Sequence, residues 1–131
     1  MKKSIISKWA LALTLAGAGI SAVFYYFHSM PAAEVVRKLS SLRVALELYR
    51  HDKGRLPASY SEVAANGNLE AVPALKLRGH EGVSSVKDVP AFKITDSGSW
   101  SYVSDPKSPD FGLVFIDCSH KDEKGRAWNE F

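Results

Sequence analysis

Residues Trp9 to Phe27 (WALALTLAGAGISAVFYYF) form a run of nineteen without a charged side chain. As a helix rising about 1.5 Å per residue, such a run spans about 28 Å, close to the hydrocarbon thickness of a bilayer. It is therefore either a membrane anchor or a removable export signal. Lys2, Lys3 and Lys8 precede it and no acid does, which places the N-terminus in the cytoplasm and the remainder outside. A secretory signal shares the basic lead but has a shorter apolar core and a small-x-small cleavage site, loosely offered by Ala16-Gly17-Ala18 or Ile20-Ser21-Ala22. The run continues past both and closes on Phe24-Tyr25-Tyr26-Phe27, the aromatic composition of a membrane interface, which favours the anchor.

The three lysines before Trp9 account for the whole formal charge of +3, because the other 14 Lys and Arg face 14 Asp and Glu. The exported part is thus neutral, which argues against nucleic acid, whose binding needs clustered cations. With 131 residues, the chain beyond the anchor supports one small domain and one core. Cys118 is the single cysteine, so no intrachain disulfide forms; the thiol is either buried and inert, which is expected, or open to pairing between chains.

After His28 to Pro31 the pattern becomes amphipathic. Pro31 cannot donate to the carbonyl of Phe27, so either the helix kinks there or Ser29 caps a second one. Val35, Leu39, Leu42, Leu46 and Tyr49 then recur at steps of 4, 3, 4 and 3, one apolar seam of period 3.5. A free coiled coil needs three or four heptads and this is barely over two, so the seam predicts a helix laid on its own domain's sheet. Glu34–Lys38 and Arg43–Glu47 are spaced for pairs on the solvated face. Arg50-His51-Asp52-Lys53-Gly54 followed by Leu56-Pro57 is a helix C-terminus with its glycine cap. Ser59-x-x-Glu62 is a capping box opening a short helix closed at Asn66-Gly67. Leu69, Val72 and Leu75, interrupted by Pro73, read as an irregular segment over a core edge.

Beyond Arg78 the period turns to alternation. Val83 to Val89 and Ala91 to Thr95 are strand candidates separated by Pro90. Trp100 and Tyr102 face one side of a strand with Ser99 and Ser101 on the other, and Gly112 to Asp117 supplies its partner. Between them, Ser104 to Asp110 has turn chemistry, giving an antiparallel hairpin with a long loop. The tail, Cys118 to Phe131, carries a charged turn at Lys121 to Gly125 and then Trp128, and is expected to fold back as a short edge strand or lid.

Four histidines raise the question of metal or catalysis. His51-Asp52, His80-Glu81 and Cys118-Ser119-His120 place potential ligands side by side, but none has an H-x3-H or C-x2-C spacing, and His28 sits at the membrane edge. Surface or capping roles are expected, with no metal and no cofactor assigned. A nucleophilic Cys118 would need a base; His120 shares its face if the strand continues, yet no third group is evident, so no catalytic residue is assigned. Asp105, Asp110, Asp117, Asp122 and Glu123 are hard oxygen donors suited to calcium, and equally suited to opening turns, which is the expected role.

The order of parts, with Ala45 to Pro57 reading A-L-E-L-Y-R-H-D-K-G-R-L-P, then S-x-S-E-V and a small sheet, resembles the type IV pilin and type II secretion pseudopilin family. The pattern A-L-x-x-Y-x-x-D-x-G-x-x-P is that of major-pseudopilin-like chains. Gly98-Ser-Trp-Ser-Tyr102, Phe115-Ile-Asp-Cys118 and Asp122-x-x-Gly125-x-x-Trp128 extend the likeness. The resemblance implies an α+β, pilin-like fold: residues 1–8 a cytoplasmic basic lead, 9–28 a transmembrane helix, 29–51 an amphipathic stalk helix, and 52–131 an exported head with three or four antiparallel strands. It implies a non-enzymatic subunit of a type II secretion or type IV pilus-type machine in the bacterial inner membrane. Its partners would be the membrane and other pilin-like or assembly proteins, with no nucleic acid. The head would be periplasmic or extracellular. Major pseudopilins carry a calcium site, but the acids here do not fall on its motif. The start also departs from the family: no glycine precedes a T-L-x-E-like sequence and no acid occurs before Glu34, leaving no carboxylate for a buried amino terminus in a filament. The expected role is an anchored accessory or adaptor. The alternative is an exported or signal-cleaved small binding domain, which exposed Trp100, Tyr102 and Trp128 would favour.

Overall fold

The computed structural model describes residues 2–131; side chains at 2–6 and 25–27 lie outside the described set. With them fall Lys2 and Lys3 of the basic lead and Tyr25, Tyr26 and Phe27 of the interfacial belt. Helix α1, Lys2–Phe27, takes the lead and the apolar run into one element. Its segment Ser7–Phe24 is long and apolar enough to cross a membrane and buries nothing against the rest of the protein.

The chain breaks rather than kinks at 28–31. Pro31 is extended (φ −60°, ψ 146°) and stands at the N-terminus of α2, Ala32–Lys53, with no side-chain cap, so Ser29 does not cap it. Two long-range bonds hold this junction, and the second of them caps the helix. The Met30 amide donates to the Lys76 carbonyl at 3.0 Å, and the Ala32 amide to Glu123 Oε1 at 3.0 Å, a carboxylate at the positive end of the helix dipole. Gly54 ends α2 in the left-handed region (φ 68°), its amide on the Arg50 carbonyl, a conformation any Cβ would strain.

The predicted seam is the inner face of α2: Val35, Leu39, Leu42, Leu46 and Tyr49 are all buried in the main core. Each buried Leu contributes about 1.5–3 kcal/mol. Val44 and Leu48 point to solvent. Glu34 and Lys38 pair at 2.9 Å as expected, but Arg43 does not reach Glu47. It turns inward, donating from Nε (3.1 Å) and Nη2 (2.9 Å) to the Val114 carbonyl and from Nη2 to the Phe131 carbonyl (2.9 Å), and Glu47 takes Arg50 instead. A guanidinium fork can satisfy several carbonyls at once, and that outweighs one solvated ion pair.

Helix α3, Tyr60–Ala65, starts where Ser59 predicts, but its capping box is rearranged. Ser59 Oγ accepts from Ser61, Glu62 reaches back to the Ala58 amide, and Asp88 accepts the Tyr60 amide and the Ser59 hydroxyl. That Asp88 lies on β1, Val86–Val89, so the sheet supplies part of the cap.

Among the described residues the sheet has three strands in the order β1-β2-β3, with β2 at Trp100–Val103 and β3 at Val114–Ile116. The β2–β3 hairpin is antiparallel, with Trp100 opposite Ile116 and Tyr102 opposite Val114. The all-antiparallel expectation fails at β1, which pairs parallel with β2, Val86 opposite Trp100. Ala91–Thr95 forms no strand. It belongs instead to the crossover that a parallel neighbour requires. The crossover covers the sheet face opposite α2, with Phe92 edge-on to Phe115 at 4.8 Å. Strand β2 is accordingly buried on both faces, Ser101 included. The tail forms a turn closed by a Lys121–Ala127 bridge and a 3-10 turn at Trp128–Glu130, not an edge strand.

Trp100, Tyr102 and Trp128 are buried rather than lining a groove. Their polar atoms find internal acceptors where burial demands them: Trp100 Nε1 donates to the Pro73 carbonyl and the Tyr102 hydroxyl to that of Pro57, both at 2.8 Å.

Candidate functional site

Strand β3 runs out of the core through Asp117 and Cys118 to Ser119 and His120, and four contacts hold this exit rigid. Asn129 donates to the Cys118 carbonyl and Trp128 to that of His120, each at 3.0 Å. On the other side, Asp96 accepts from the Ser119 amide (2.5 Å) and hydroxyl (3.0 Å). Asp96 holds this position with a positive φ of 56°, a region that Asp tolerates better than most residues. Asp117 is buried and gathers the crossover loop, accepting from the Thr95 amide and hydroxyl (2.6 and 2.5 Å), the Asp96 amide (3.2 Å) and the Ser97 amide and hydroxyl (3.3 and 2.5 Å). Burial pushes the Asp117 carboxyl up, but the Ser97 and Thr95 hydrogen bonds outweigh it and hold the group below its ordinary value.

A second segment comes up to this exit. Leu75 and Leu77 are buried, and Leu75 and Val83 exchange backbone bonds of 2.7 and 2.9 Å, pinching residues 75–83 into a narrow loop. His80 sits on that loop, with its carbonyl held by Lys76 Nζ. Gly98 (φ 70°) presses its bare backbone against Cγ and Nδ1 of the His80 ring, where a Cβ would collide. The opposite edge of the ring, Nε2, is thereby turned toward Cys118.

Three ligand atoms meet there. Cys118 Sγ is 3.4 Å from His80 Nε2 and 3.3 Å from His120 Nδ1, and the two nitrogens are 3.2 Å apart. Cys118 is buried at the base, His80 is half-buried and His120 is exposed, so the cluster opens to solvent between two imidazoles. Burial, with the Asp96 and Asp117 carboxylates nearby, pushes the thiol above its ordinary value; burial and the neighbouring His120 lower His80. A raised thiol and a lowered imidazole both disfavour the thiolate–imidazolium pair of a cysteine nucleophile. Three convergent soft or borderline donors are instead the inventory of a transition-metal site.

The other flagged residues do not converge. Among the described residues, His80, Cys118 and His120 are the one group of three or more His, Cys, Asp and Glu whose ligand atoms come together. His28 stacks on Phe24, and His51 is exposed beside Asp52. Of the five acids, Asp105 accepts from the Lys107 amide and Asp122 from those of Lys124 and Arg126, the turn roles the sequence suggests. Asp117 holds the crossover loop and Glu123 caps α2. From sequence, Cys118 and His120 were visible as a pair; their third member is 38 residues before Cys118 and carries no spacing signal.

Compared with known protein families, with curated proteins and with solved structures, the chain matches none.

Proposed function

We propose that this chain is a membrane-anchored, pilin-like subunit, a structural or assembly component of a type II secretion or type IV pilus-type machine. In this reading it sits in the bacterial inner membrane with its N-terminus cytoplasmic and its head periplasmic or extracellular. It works through contacts with the membrane and with other pilin-like or assembly subunits, without catalysis and without nucleic acid.

The observation that carries the reading is a contrast between consecutive helices. Along Ser7–Phe24, α1 buries none of its apolar side chains, whereas α2 buries one stripe in the head. An uncovered apolar surface of that length calls for lipid or other helices, and a helix rooted in the head can carry force or position from membrane to head. The A-L-x-x-Y-x-x-D-x-G-x-x-P pattern at the end of α2 gives the pilin-like part its support. The missing glycine and glutamate at the start favour a subunit that remains an anchored adaptor.

The test is a C-terminally tagged full chain expressed at native level. The expected result is an intact, membrane-fraction protein by N-terminal sequencing, which crosslinks to pilin-like or assembly subunits. A soluble product lacking the apolar run would replace this reading with the signal-cleaved binding domain. An intact anchored protein that crosslinks to no such subunit would remove the machine from it.

A further inference from the structure

We propose that His80, Cys118 and His120 form a binding site for a transition-metal ion of the zinc type, held by one thiolate and two imidazoles with a fourth position open to solvent. This goes beyond the anchoring role and does not depend on it.

The argument is first one of dimensions. Zinc binds imidazole nitrogen at about 2.05 Å and thiolate sulfur at about 2.3 Å, so the edges of its tetrahedron are about 3.3 Å between nitrogens and about 3.6 Å between nitrogen and sulfur. The three atoms already stand at 3.2 Å for the nitrogen pair and 3.3 and 3.4 Å for the sulfur pairs. An ion at their centre asks the donors to move apart by about 0.1–0.3 Å.

The second argument is preorganisation. The ligands arrive from two segments, each fixed by contacts that do not involve the ligand atoms. Gly98 sets the face of the His80 ring and the Leu75–Val83 pairing sets its loop. Asp96, Trp128 and Asn129 hold the Cys118–His120 turn from both sides. Outer contacts of this kind orient metal ligands and tune their affinity. The donor chemistry is selective as well: thiolate with imidazole suits zinc, copper and cobalt and is poor for calcium or magnesium. Asp96 and Asp117 lie close enough to act electrostatically on both Cys118 and His80, adding negative potential, with Lys76 opposing it.

A bound ion would tie residues 75–83 to the end of β3, a long-range link in a head that has no disulfide. Because such a site exists only in the folded chain, the ion would also stabilise it.

The experiment titrates the full-length, detergent-solubilised and thiol-reduced protein with Co2+ and Zn2+. The expected results are an equimolar Co2+ complex with thiolate-to-metal charge-transfer absorption, displaced by Zn2+, and a Tm that rises with Zn2+. Cys118→Ser loses the charge-transfer band. Because Cys118 is buried, exposed His120 supplies the variant that keeps the fold: His120→Ala, with an unchanged circular dichroism spectrum, binds Zn2+ at least about 10-fold more weakly. A Co2+ complex without the charge-transfer band would overturn the proposal. So would a Zn2+ affinity unchanged in folded His120→Ala, or the absence of Co2+ and Zn2+ binding in the folded wild-type chain.

Discussion

Tyr49, in the last turns of α2, donates its hydroxyl to Glu62 of α3 across 2.5 Å. Glu62 also accepts from Arg55 at 2.9 Å and from the Ala58 amide at 2.8 Å, so one carboxylate joins two helices and the turn between them.

These partners, Tyr49 first and then Arg55, hold the Glu62 carboxyl down at about 2, against an ordinary 4.5. A depressed carboxyl contributes stability that is complete above the ordinary value and is lost as pH falls toward the folded one. Thermal or denaturant unfolding of the full chain should therefore show a loss between about 4.5 and about 2 that Glu62→Gln reduces. An equally steep loss in Glu62→Gln would show that the acid sensitivity lies elsewhere.

Arg43 links α2 to β3 and to the Phe131 carbonyl. Arg43→Ala leaves those carbonyls without their donor and should cost about 1–3 kcal/mol. Arg43→Lys recovers only part of this, because an ammonium lacks the fork. Urea unfolding should show a lower midpoint at constant slope, and a midpoint equal to wild type for Arg43→Ala would refute the link.

The seam makes a paired prediction. Leu42 is fully buried, so Leu42→Ala should cost about 2–5 kcal/mol, depending on how far the site collapses. Val44, two residues on, is 57% exposed, and Val44→Ala should stay within about 0.5 kcal/mol of wild type. Comparable losses from both would place the helix face wrongly.

Ser101 Oγ is buried with no hydrogen-bond partner among the described residues. Removing it relieves an unmade hydrogen bond, so Ser101→Ala should leave stability unchanged or raise it by about 1 kcal/mol. A clear drop in Tm would mean that the hydroxyl has a partner.

Gly98→Ala drives a Cβ into the His80 ring at a positive φ and should destabilise by about 1–3 kcal/mol. Gly82→Ala, where the added carbon meets only ordinary contacts at 3.8 Å, is the neutral control. Equal Tm for both would show that the ring is not held by Gly98.

The sequence by itself determined whatever depends on neighbours along the chain. The apolar run of α1, the α2 seam, the Gly54 stop, the start of α3 and the β2–β3 hairpin all follow from local period and turn chemistry. Tertiary structure decided the rest, because each of those outcomes depends on partners far apart in sequence. Alternation in Val83–Val89 marks a strand but not which way its neighbour runs, so the parallel β1 and the burial of Ser101 on the second face of β2 were not legible. Arg43 looked like half of an i, i+4 pair until folding placed unsatisfied carbonyls within its reach. Cys118 and His120 lie two residues apart in the chain, yet only the pinched loop at 75–83 and the bare backbone of Gly98 bring His80 to them. A site assembled from separate segments leaves no period or spacing to read, since it is made by the packing itself.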